Sequence, residues 1–327
     1  MKRHKTSTLA TLAGLILLTT VACHREAPVV SELGKPQYEI KDGSDYVSHT
    51  IYDIYKRTGL EIVYNFDPKH ARWNLGSTQV RGPRYTAIDP ASTEDMKMVE
   101  DNLRFFTEEF LPGYSDDFIK QYFPLRCFMA DTLNVYKGKN DVFATSLRDH
   151  IAFNMYREGE VIIIKKESQE LKYKTRDEIR AEMIPRLHST LWTFIFAHRI
   201  SAPSTFTAYS QDYYGQVIGK RQKVGKKEDL DHRRDVLMSH GFWDYDESKS
   251  GWASYRAYDS KSTSLDIADY IYRMTTMPEA EIQEAMGDYT IMHEKYDALR
   301  SFIKDKTGMD LQTIGNAAAK KRQTPSD

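Results

Sequence analysis

The sequence predicts an α+β domain, and three observations point there: a helical stripe near residues 94–111, a set of short apolar strands after it, and a helical remainder. In the stripe Met96, Val99, Leu103, Phe106 and Phe110 recur at spacings of three and four, and Pro112-Gly113 ends it. Strands are expected over 124–130, 141–145, 150–156 and 161–164, where short apolar runs are separated by polar turns such as Lys137-Gly138-Lys139-Asn140.

The chain then turns helical. Thr175 and Glu178 have capping-box spacing, and Ile179, Met183, Ile184, Leu187 and Leu191 carry an apolar stripe toward His198. Pro185 is expected to kink or restart this helix, and Ser201-Ala202-Pro203-Ser204 to stop it. Residues 215–235 read as a charged, solvated loop. Further helices are predicted over 264–275, 279–286 and 290–307, with a polar, disordered tail over 316–327. No linker interrupts residues 41–315, so one domain is expected there.

The first residues belong to no fold. Lys2, Arg3 and Lys5 precede an apolar stretch, Leu9 to Val21, that is short for a membrane span. It ends in Leu18-Thr19-Thr20-Val21-Ala22-Cys23, which resembles a bacterial lipobox. Residues 1–22 are thus expected to be a lipoprotein signal peptide, Cys23 the lipidated residue, and 23–40 a tether. Losing the signal moves the formal net charge from −1 to about −4, which gives no reason to expect nucleic acid. Cys127 is then the one thiol left. It sits in the apolar run 123–129 and reads as a buried structural cysteine.

The motif that bears on chemistry is Thr193-Phe194-Ile195-Phe196-Ala197-His198. It has the apolar setting of a His-Glu-x-x-His zinc helix, in which two histidines four apart supply two ligands and the glutamate activates water. Only the second histidine stands. His188 lies off the ligand spacing. His232 and His240, beside Asp235, offer a weak alternative pair.

With Gly251-Trp252-Ala253-Ser254-Tyr255, Leu265-Asp266-Ile267-Ala268-Asp269 and Tyr296 through Leu311 following in order, the chain resembles the lipoprotein zinc metallopeptidases of Bacteroidota that accompany SusC/SusD-type, TonB-dependent nutrient importers. Tyr209 and Tyr213-Tyr214-Gly215 resemble that family's segment after the zinc helix. The resemblance implies a zincin-like fold, an outer-membrane lipid anchor exposed at the cell surface, and transporter partners.

It also implies where zinc would sit. Phe194 and Ile195 replace the first ligand and the base, Leu265 falls at the third ligand, and His198 with Asp269 form a remnant. The expectation is therefore a non-catalytic accessory protein with no cofactor. Two alternatives stay open: an active zinc hydrolase using His198, Asp269 and another histidine, and a stand-alone ligand-binding lipoprotein. Among the clustered aromatics, Tyr213, Tyr214, Trp252 and Tyr255 are candidates to hold a peptide or glycan.

Overall fold

A computed structural model describes residues 37–72, 84–134, 144–147, 149–157, 162–166, 169–173, 176–216, 218, 234–243 and 262–323. Residues 40–327 form one compact unit, described here by itself. Cys23, expected to carry lipid, Thr175, expected to cap a helix, and the candidates Trp252, Tyr255 and His232 lie outside the described residues.

The architecture is α+β, as the sequence predicts. Its first elements are helix α1 (Tyr46–Thr58), strands β1 (Glu61–Val63) and β2 (Arg84–Thr86), and helices α2 (Thr93–Phe105) and α3 (Asp116–Tyr122). Strands β3 (Arg126–Ala130), β4 (Thr132–Asn134), β5 (Ala144–Leu147), β6 (His150–Asn154), β7 (Ile162–Lys166) and β8 (Gln169–Tyr173) follow. The C-terminal half is helical: α4 (Arg176–His198), α5 (Ser204–Thr207), α6 (Thr263–Thr276), α7 (Glu279–Met286), α8 (Thr290–Thr307) and α9 (Gln312–Gln323).

The main sheet has the order β1-β3-β6-β5. Its first three strands are parallel, and β5 runs antiparallel at the edge. Every residue of β6 is buried, as a parallel strand covered on both faces requires. Helix α4 packs against edge strand β5, so one long helix lies beside the antiparallel edge of a mixed sheet. Two further ribbons, β2-β4 and β7-β8, are antiparallel.

Helix α1 was not foreseen, yet its logic is local. Asp45 caps it by accepting from the Ser48 N–H at 2.9 Å, and Val47, Ile51 and Ile54 bury one face. Gly59 ends it at φ 76°, the left-handed conformation glycine adopts without penalty.

The predicted 94–111 helix is real but not uniform. Regular α geometry stops at Phe105, five residues of π-helix follow over Phe106–Phe110, and a 3-10 turn closes Leu111–Gly113. Pro112 has no N–H to continue the α ladder, and Phe105, Phe106 and Phe110 are all fully buried at the switch. Asn102 then ties this helix to the sheet. Its Nδ2 donates to Met98 O and Tyr156 O, both at 2.8 Å, and its Oδ1 accepts from Tyr156 N.

Two other expectations need correction. Pro185 does not restart the helix, since α4 runs continuously from Arg176 to His198. Its neighbours Met183, Leu187 and Leu191 are buried, and this packing offsets the missing hydrogen bond. The strand expected over 141–145 is present as β5 over Ala144–Leu147, paired in register with β6, and residues 141–143 lie outside the described residues. The tail is not polar coil throughout: α9 extends to Gln323, with Ala318 and Ala319 buried. A Cβ on Gly315 would stand 2.2 Å from Met277 O and 2.4 Å from Met274 O, so only glycine lets α9 approach the end of α6 so closely.

Cys127 is fully buried on β3, with its thiol pushed far up by desolvation, as an inert core cysteine should be. Among the described residues, no helix is long and apolar enough to cross a membrane.

Candidate functional site

Helix α4 delivers the candidate motif at its C-terminal end. Phe194 and Ile195 are both fully buried there, and His198, the last helical residue, is exposed. The imidazole packs against the Phe194 ring at 4.8 Å between centroids, one turn back on the same face. Arg199 covers that ring from the other side, 5.6 Å from its centroid. Ile195 O accepts from both Arg199 N and Ile200 N, closing the helix.

A phenyl ring and a butyl side chain offer no lone pair to a cation and no base to water. Both belong to the main hydrophobic cluster, not to a wet cleft floor. The residues at this end of α4 therefore do not fit a His-Glu-x-x-His zinc site.

Helix α6 packs against α4 and carries the other two positions. Leu265 is 49% exposed in its first turn, and Asp269 is half-buried one turn on, its carbonyl accepting from Arg273 Nη1 at 3.1 Å. His198 and Asp269 thus stand on adjacent helices. Among the described residues no group of three or more His, Cys, Asp or Glu side chains is assembled that could hold a metal.

Between these two positions lies the residue that the sequence reading passed over. Asp266 is fully buried, and its Oδ2 meets Lys295 Nζ of α8 at 2.6 Å, with neither side chain exposed. Lys295 donates also to Ser210 Oγ and to Gly241 O, both at 2.8 Å, so each of its three N–H groups has an acceptor. The ammonium is further enclosed by the rings of Phe206 at 4.4 Å, Phe242 at 4.9 Å and Tyr270 at 5.3 Å. Tyr214 donates its hydroxyl to Asp266 Oδ2 at 2.6 Å. Burial, then the Asp266 carboxylate, pushes that phenol far above its ordinary pKa.

Gly241 is required here. It adopts φ 81°, and an added Cβ would stand 2.8 Å from both Lys295 Cδ and Ser210 Oγ. Its carbonyl accepts from Tyr270 as well, at 3.1 Å. The Ser210–Lys295 pair has the makeup of a serine–lysine nucleophile. Its geometry argues otherwise, because the Ser210 hydroxyl donates to His240 O at 2.8 Å in a site closed to solvent. The cluster is an internal fastener joining α6, α8, the 208–213 turn and the 240–243 segment.

The aromatic candidates divide accordingly. Tyr213 is exposed and edges against His240 at 4.3 Å, so it remains available to a ligand. Tyr214 is not: its hydroxyl is taken by Asp266 and its ring packs on Phe242. Trp243 is buried beneath Arg273, whose guanidinium sits 4.2 Å from its ring. His240 uses Nδ1 on Val236 O at 2.6 Å, a local backbone contact within its own turn.

No protein-family model and no curated protein matches the chain. One solved structure is similar, a crystal structure of a candidate zinc-binding metallo-peptidase from Bacteroides caccae. It has 13% identity and a TM-score of 0.46, over 86% of this chain and 95% of that one. That protein is described as zinc-binding, so the expectation of no cofactor finds no support in it.

Proposed function

We propose that this chain is a membrane-anchored accessory lipoprotein, related to zinc metallopeptidases, that serves a SusC/SusD-type nutrient importer by binding and not by the inherited peptide hydrolysis. One observation carries the loss of that mechanism: Phe194 and Ile195, at the positions of first ligand and base, are fully buried hydrocarbon in the domain core. No change of side-chain rotamer can turn either into a ligand or a proton acceptor. The anchor would be lipid on Cys23, placing the domain at the outer-membrane surface. Exposed Tyr213 supports a ligand role for this surface, where a flat ring stacks on a sugar or peptide side chain.

The test is capture of the tagged full-length protein from native outer membranes. Transporter components in the eluate support the reading, and their absence removes its main support. Zinc content alone does not decide between binding and catalysis. Peptide hydrolysis that disappears together with stoichiometric zinc in His198→Ala would replace this reading with the enzyme.

A further inference from the structure

The middle of α4 builds something separate from its end. Ala181, Ile184, Pro185 and His188 line a cavity of about 280 Å3 together with Ile314 and Ala318 of α9. Glu109, on the π-helical turn, Thr313 and Lys321 line it as well. His188 precedes His198 by ten residues, about 15 Å of helix, so this is not the remnant metal position.

The most buried polar side chain in this wall is His188, 5% exposed, while the Thr313 hydroxyl is spent on Asp310 O at 2.7 Å. Desolvation pushes its pKa down to about 3, which keeps the imidazole neutral. Its Nδ1 lies 2.7 Å from the Tyr114 hydroxyl, and burial keeps that phenol protonated. A buried hydroxyl hydrogen needs an acceptor, and Nδ1 is the one in reach. A neutral imidazole that accepts at Nδ1 carries its hydrogen at Nε2. Among the described residues that Nε2–H has no hydrogen-bond partner, and it is not sealed from solvent, so an acceptor entering the cavity can meet it.

We infer that this cavity binds a small uncharged carbonyl compound, its apolar body against Ile184, Pro185 and Ile314 and its oxygen accepting from His188 Nε2. Charge argues for an uncharged ligand. Glu109 is already held by Arg180 Nη1 at 2.8 Å and by Lys321 Nζ at 3.4 Å, so neither sign stands uncompensated at the edge. A neutral histidine inside offers an ion no counter-charge. The volume sits near the lower end for small-molecule pockets and suits a compound of one ring or a short chain.

Acetophenone and ethylbenzene, nearly equal in shape, separate the parts of this inference. Each is titrated onto the full-length protein and followed by ligand-observed NMR and by the His188 ring-nitrogen shifts. Acetophenone should bind saturably and move the Nε2 resonance, and ethylbenzene should bind roughly fivefold more weakly. Ala317→Phe places a ring at the exposed cavity edge and should weaken acetophenone about tenfold or more. Absence of saturable acetophenone binding, or equal affinity for the two compounds, overturns the inference. So does unchanged affinity in Ala317→Phe. The two-compound comparison on the unaltered protein decides the matter even if that variant folds poorly.

Discussion

Helix α6 presents two clusters that differ by one residue in sequence and completely in character. Leu265 and Asp269 face the position where the metallopeptidase resemblance implies a ligand, and nothing there completes a metal site among the described residues. Asp266, between them, enters the core and is met by Lys295, Tyr214 and, through Lys295, by Ser210 and Gly241. A step of one residue turns the side chain by about 100° around a helix, which separates the two faces. On this stretch of α6 the buried charge is thus drawn into a closed fastener, while Phe194 and Ile195 at the end of α4 are hydrocarbon.

The comparison can be broken most forcefully at the fastener. Lys295→Met leaves Asp266 buried without its cation and should cost about 3–5 kcal/mol in chemical denaturation. Combining it with Asp266→Leu should restore much of that loss, because two apolar side chains need no counter-charge. A single-variant cost under about 1 kcal/mol would show that water reaches the pair.

Next comes the hydrocarbon end of α4. Ile195→Glu inserts a carboxylate at a fully buried position and should cost about 3 kcal/mol. Near-native stability, measured by the same denaturation, would mean that this end of the helix opens to solvent after all.

The cavity histidine gives a smaller effect per step. His188 has a folded-state pKa near 3 against 6.5 unfolded, so between those values the unfolded chain binds the extra proton. Stability must then fall as pH drops from 6.5 toward 3, by at most about 1.4 kcal/mol per pH unit from this residue. His150, also lowered by burial, acts in the same direction. In His188→Gln the melting temperature should decline less steeply over this range than in the unaltered protein. Identical slopes would show that His188 is protonated in the folded state.

The smallest effect should come from His198→Ala. An exposed helix-terminal histidine contributes within about 0.5 kcal/mol, and a larger loss would show that its contact with Phe194 carries structural weight.

What could be read in advance follows from the range of each interaction. The stripe Ile267, Ile271, Met274 marks α6, and Met292, Tyr296, Leu299, Ile303 marks α8, because three- and four-residue spacing is visible without knowing the partner. Helix α9 escaped notice because its buried face consists of Ala318, Ala319 and Gly315, which read as small and indifferent until α6 lies against them. The fastener escaped for a different reason. Asp266 and Lys295 are 29 residues apart and Ser210 and Lys295 are 85 apart, and charged residues at such distances read as surface.

The sequence by itself determined what cannot happen at the end of α4, since the elements in a side chain decide whether it can bind a cation or take a proton. It also determined the mixed helix-and-strand order, because periodicity is a local property. Tertiary structure alone decided that Phe194 and Ile195 sit in the core, that Asp266 is matched and Leu265 is bare, and that His188 is buried in a cavity wall. Burial and charge pairing depend on which distant segments meet, and no spacing along the chain records that.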